Sequence, residues 1–127
     1  MNKKRIDNWI LIAKEALNEI GIAQDGTINK NFRGQISSFG AAVVMGSLKS
    51  AVAFFVEQGQ AEVDRSKLIQ AMYYCILKGE NPEEKPEEKP AKDILDLVCK
   101  NEDKELKGKF IDASIALKLA MNFFELV

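Results

Sequence analysis

Apolar residues along the first twenty positions recur at intervals of three and four: Ile6, Trp9, Ile10, Ala13, Ala16, Leu17 and Ile20. Asp7, Asn8, Lys14, Glu15, Asn18 and Glu19 fill the opposite face, which predicts an amphipathic helix from about Lys4 to Ile20, stopped by Gly21. Asp25-Gly26 marks a loop. A second helical pattern runs from about Asn31 to Gln58, with Phe32, Ile36, Phe39, Val43 and Val44 on one stripe. Gly46-Ser47 interrupts it, and Ser47 is placed to cap a further segment, Leu48 to Gln58, that Gly59 ends. The core stripe of that segment is Leu48, Ala51, Val52 and Phe55, widened by Phe54 and Val56.

Asp64 can cap the next helix, with Leu68, Ala71, Met72, Cys75 and Ile76 inside and Gly79 at its close. All three prolines fall in a Pro-Glu-Glu-Lys repeat between Asn81 and Pro90, where proline at every fourth position prevents a continuous helix. Its glutamates and lysines predict a stiff, acidic, solvent-exposed loop at about 80–90, read as a tolerated insertion more readily than as a docking motif. Ala91 to Lys100 resumes a helix, and a charged stretch, Asn101 to Lys109, leads into the last one. That helix is apolar nearly all round, from Phe110 through Ile115 and Leu119 to Phe123, Phe124 and Leu126. Only Asp112, Lys118, Asn122 and Glu125 form a thin polar stripe. Such a helix is central in a core or partly covered by another chain. Strand alternation is absent throughout. The expectation is an all-α fold, a compact bundle of five to six helices making one domain over 1–127.

Composition changes this picture little. The 127 residues are 46% hydrophobic and 29% charged with a net charge of -1, ordinary for a globular chain that needs no staple to fold. A partner drawn by overall charge is not indicated, so any nucleic-acid surface has to be a local patch. The first 60 positions hold seven basic residues against five acids, and the remainder 11 against 14, a slight basic bias toward the N-terminal half. Cys75 and Cys99 both sit in apolar helical pattern and read as two buried thiols more readily than as a disulfide. The basic start, Met1-Asn2-Lys3-Lys4-Arg5, is followed by an amphipathic stretch and not by the apolar centre of a signal peptide. The most apolar run, Phe39 to Val56, carries Gly40, Gly46, Ser47, Lys49 and Ser50 and makes a poor membrane span. A cytoplasmic protein with no membrane partner is expected.

Catalytic hardware is sparse. The chain contains no histidine, which removes the commonest general base and the commonest transition-metal ligand. Gly34, Gly40 and Gly46, at a spacing of six, lie within helical pattern and suggest close helix packing more than a phosphate loop. Carboxylate pairs such as Glu83-Glu84 and Glu102-Asp103 occur in charged, solvent-facing stretches. No enzyme activity, cofactor or metal is expected from these residues.

The order of several small features carries more. Arg5 lies four residues before Trp9, and Phe32-Arg33 opens the second helix. Fifteen residues after Phe32 comes Ser47-Leu48-Lys49-Ser50-Ala51-Val52-Ala53-Phe54, followed by Gly59. The last helix starts at Phe110, with Ser114 four residues on and Phe123 near its end. This arrangement resembles the small helical subunit of the Cmr effector complex, the type III-B CRISPR system that targets RNA. The resemblance covers nearly the whole chain except the proline repeat. It implies a non-catalytic subunit in antiviral defence that stacks on copies of itself and on backbone subunits beside the large subunit. Such a subunit lines the groove where guide RNA pairs with target RNA.

By that resemblance, Lys3, Arg5 and Arg33 match basic positions of the family, and Lys4, Lys14 and Lys49 join them by proximity on the same segments. Their expected work is RNA binding through phosphates, with base pairing supplying the specificity. Three positions depart from the family pattern. Gln60 stands where a lysine often follows the glycine, Ser47 replaces the glycine of the helix break, and Glu125 with its neighbours replaces a C-terminal basic pair. The last departure points that end toward subunit packing. The alternative is a helical protein–protein adaptor that makes no nucleic-acid contact, for which the acidic C-terminal half argues.

Overall fold

A computed structural model describes residues 1–57, 62–101 and 103–127. The elements are α1 (Lys3–Glu19), β1 (Ala23–Gln24), β2 (Thr27–Ile28), α2 (Lys30–Ser37), α3 (Phe39–Met45), α4 (Leu48–Val56), α5 (Ser66–Glu80), α6 (Ala91–Lys100) and α7 (Lys104–Ala120). A short 3-10 turn (Met121–Phe123) and β3 (Glu125–Leu126) follow. The fold is a helical bundle with one hydrophobic core, as the periodicity predicts. The helix expected over Leu48 to Gln58 ends at Val56, where Glu57 turns extended, and Gly59, the Gln60 departure and Glu102 of the carboxylate pair lie outside the described residues.

Local chemistry explains most of the helix ends. The Asn2 side chain accepts the Arg5 backbone N–H at the start of α1, and Gly21 takes a left-handed φ of 85° just beyond its end. Ser47 and Ser50 form a reciprocal capping box, each side chain accepting the other's backbone N–H at 3.0 Å. Asp64 acts one residue earlier than a standard cap, its Oδ1 accepting the Ser66 backbone N–H at 3.1 Å. Asp103 accepts the Leu106 N–H at 2.7 Å, so the charged lead-in to the last helix is itself its first turn.

Helices α1, α5 and α7 form the centre. Glu15 on α1 accepts the Tyr74 hydroxyl of α5 at 2.8 Å, and Trp9 lies over Gly79, so α1 and α5 run in opposite directions. Arg5 meets Asp112 while Lys14 meets Phe123, so α1 and α7 run the same way. Ala13 and Ala16 on α1, and Ala113, Ala116 and Ala120 on α7, are fully buried. Side chains this short let two helix backbones approach closely. At the far edge of the core, the rings of Phe39 and Phe55 meet edge to face, with centroids 5.3 Å apart.

Several expectations need correction. The pattern from Asn31 to Met45 is two helices, because the chain turns at Ser38, whose N–H bonds back to Gln35 O. Val44, placed on the inner stripe, is exposed on the last turn of α3. A small sheet exists where none was expected: β1 pairs antiparallel with β2, and β2 pairs parallel with β3. Asp25 and Gly26 both take positive φ, 52° and 80°, making the tight hairpin turn between β1 and β2. Strands of two residues leave no periodicity to read. The last helix ends at Ala120, and Asp112 is buried, not part of a solvent stripe.

The glycines also differ from expectation. A Cβ added at Gly34 or Gly40 would meet nothing within 4 Å, so those positions do not serve close packing. Gly79 does, and it lies inside α5 instead of closing it. Its neighbour is the Trp9 indole, which a methyl group there would overlap. Of the cysteines, Cys75 is buried as expected, but Cys99 is exposed on α6. The proline repeat is exposed at most positions yet pinned: Pro86 is buried, Lys85 reaches Glu19 at 3.4 Å, and Gln70 donates to Lys89 O at 3.1 Å. No helix among the described residues is long and apolar enough to cross a membrane.

Two outcomes follow from this packing. In an exposed helix interior, glycine to alanine gains about 1 kcal/mol, but overpacking costs about 1–3 kcal/mol. Gly79→Ala should therefore lower the melting temperature, and a raised one would mean that the indole does not seal the helix. Burial pushes the Cys75 thiol above its ordinary range, with Glu15 adding to the shift. A thiol reagent should modify Cys99 rapidly in the native protein and Cys75 only after unfolding, as mass spectrometry of the two peptides can read.

Candidate functional site

Of the residues expected to meet RNA, three belong to the first helical turns of α1. Lys3 and Lys4 are exposed there. Arg5 is different. Its Nε and Nη2 donate to Asp112 Oδ2 at 2.7 and 2.6 Å, while Asp112 Oδ1 accepts the Asn2 backbone N–H at 3.2 Å. The Asp112 side chain is fully buried and the Arg5 side chain 27% exposed. The guanidinium also lies 5.4 Å from the centroid of the Trp9 ring. Its charge is therefore cancelled by a carboxylate 107 positions away, and its first work is to lock α1 onto α7. A shallow cavity beside this lock is lined by Asn2, Lys4, Arg5, Asn8, Trp9 and Pro82, among others.

Among the described residues, Lys14 and Arg33 meet no carboxylate. Arg33 Nη1 donates to Asn122 Oδ1 at 2.9 Å, and its partner is a neutral amide. Lys14 Nζ lies 4.7 Å from the centroid of the Phe123 ring, a cation–π contact that leaves the charge in place. The nearest acids on α1 are engaged elsewhere: Glu15 accepts from Tyr74 and Glu19 pairs with Lys85. Two expected residues, from α1 and from α2, thus converge on one 3-10 turn. Lys49 is exposed at the start of α4.

The turn that receives them was not among the expected site residues. Met121 is fully buried, and Phe124 packs against the core with its N–H bonded to Met121 O at 3.1 Å. Beyond it, Glu125 N–H donates to Gly26 O and Val127 N–H to Ile28 O, both at 2.9 Å. Phe123, between these anchors, faces outward at 52% exposure. An aromatic at a helix end invites a core reading, and only the alternation with Phe124 could have signalled that it points out. Asp112 was likewise unreadable as Arg5's partner. Its one cue is an acid among short side chains (Ala113, Ser114, Ala116) in the apolar stretch of the last helix.

Apolar side chains are exposed elsewhere too. Val44 and Met45 at the end of α3 are 72% and 88% exposed. Phe54 on α4 is half exposed beneath Arg65, whose guanidinium carbon lies 4.2 Å from its ring centroid and whose Nε donates to Phe54 O. Among the described residues, no group of three or more acids and cysteines stands close enough to hold a metal ion. Comparison with protein-family models, with curated proteins and with solved structures gives no match to this chain.

The Arg5–Asp112 lock makes a measurable claim. Removing one partner of a buried, hydrogen-bonded ion pair costs about 3 kcal/mol or somewhat more, because the other is left without compensation. Arg5→Ala, which strips the partner from the fully buried carboxylate, should shift equilibrium urea unfolding by an amount of that order. A loss below about 0.5 kcal/mol, typical of an exposed pair, would contradict the assignment.

Proposed function

We propose that this chain is a non-catalytic RNA-binding subunit, the small helical subunit of a type III-B CRISPR effector, whose cations hold phosphates of the guide–target duplex. The observation that carries the reading is the convergence of Lys14 and Arg33, from two separate helices, on one exposed turn with their charge uncancelled. The order of sequence features supports the family. Lys3 and Lys4 extend the basic surface from the other end of α1, about 15 Å away at 1.5 Å per residue. Lys49 belongs to the same proposal only by its proximity to the segments that carry the resemblance. Arg5 is given a supporting part, since its guanidinium is held by Asp112.

In this reading the protein supplies position and charge, and base pairing supplies sequence. A-form duplexes present phosphates and 2′-hydroxyls at their surface, which suits a rigid helical face. Exposed Val44, Met45 and Phe54 give the apolar contacts by which the subunit stacks on its own copies and on backbone subunits. The same three side chains favour a second reading, an adaptor that touches protein only.

Titration of an A-form RNA duplex with the full chain across a salt series separates the two. Affinity should fall with rising salt, and Lys14→Glu with Arg33→Glu should flatten the log–log slope by roughly two, about one for each phosphate that is no longer neutralised. An unchanged slope removes these residues from the interface. No duplex binding at any salt, with protein subunits still retained from the native cell, leaves the adaptor.

A further inference from the structure

We infer that Phe123 is a stacking platform for one unpaired nucleobase, with Lys14 and Arg33 placed for the phosphates on either side of that nucleotide. The inference rests on the RNA-binding reading and adds to it an interaction that duplex backbone recognition does not use. Four observations carry it. The Phe123 ring is half exposed on a turn whose neighbours on both sides are fixed, Met121 by burial and Phe124 by core packing. The backbone after it is tied into the small sheet by Glu125 and Val127. The ring is therefore presented rigidly, so that stacking on it orders little else. Lys14 lies against the ring and Arg33 is bound to the residue before it, and among the described residues neither meets a carboxylate.

An exposed phenylalanine alone marks any apolar contact. One with a lysine over its face and an arginine bound to the adjacent residue has the two elements of single-strand recognition: a π-face for the base and cations for the backbone. Without RNA, Lys14 covers part of the ring. A base that stacks there displaces the ammonium by a few ångströms toward the phosphate, exchanging one electrostatic interaction for a stronger one. Glu125, exposed two residues on, is the acid nearest in sequence and disfavours phosphates beyond those two. The site therefore fits one nucleotide and not an extended track. Base identity is not read, because every base has a π-face.

The test compares two RNAs on the full chain. One is a short single strand with 2-aminopurine at a central position; the other is an A-form duplex without unpaired bases. Wild type should bind the single strand and quench the 2-aminopurine. Phe123→Leu, which keeps an apolar side chain at an exposed position, should weaken the single strand about tenfold and abolish the quenching, the size expected for removing one base–aromatic stack. Its duplex affinity should change by less than about threefold, and Phe123→Trp should restore quenching. If Phe123→Leu binds and quenches the single strand as wild type does, the platform is refuted while duplex binding still upholds the RNA reading. If wild type binds neither RNA, the RNA reading fails and the platform with it.

Discussion

Asp112 holds the molecule together at the place where its helices are least compatible. Helices α1 and α7 run in the same direction, so their dipoles lie side by side instead of opposing. A carboxylate in the middle of α7 that accepts the Asn2 backbone N–H and two guanidinium hydrogens of Arg5 places negative charge at the positive end of α1. Once that pairing is made, the register of α1 on α7 is set. The later meeting of Lys14 with Phe123 follows nine residues further along α1. The small sheet closes the same end of the molecule, with β2 returning from the hairpin after α1 to pair parallel with β3 after α7.

This dependence changes how the basic residues of the N-terminal segment are to be weighed. Six cations share a charge sign, but the fold sorts them by what lies beside each. Arg5 faces a buried acid and has become architecture. Lys14 and Arg33 face a ring and an amide, partners that orient a cation without neutralising it. A residue type that meets phosphates in one setting braces helices in another, and only the third dimension separates the cases.

The sequence carried the bundle well where burial is periodic. The inner faces of α1, α4 and α5, the Ser47 cap and the exposure of most of the proline repeat were all readable from spacing and residue chemistry. What could not be read depends on contacts between distant segments or on pieces too short for a period. Two-residue strands leave no alternation. The Ser38 turn occurs within an unbroken helical pattern. Gly79 looks like a helix stop until Trp9, seventy positions earlier, is found against it. The candidate site followed the same rule: its cations were visible as charges and Asn122 as a polar position, while Phe123 was hidden in what looked like one more core helix.

The pinned proline segment has a consequence for how this chain can vary. Its anchors are a buried proline, the lysine before it and the carbonyl of a later lysine, and each four-residue unit contains all of these groups. Units of this kind are interchangeable. If replication slippage added one, a neighbouring unit would supply the same anchors, and the surplus would bulge into solvent between α5 and α6. Length drift is thereby confined to one edge of the molecule, where neither the α1–α7 seam nor the Phe123 turn would register the change.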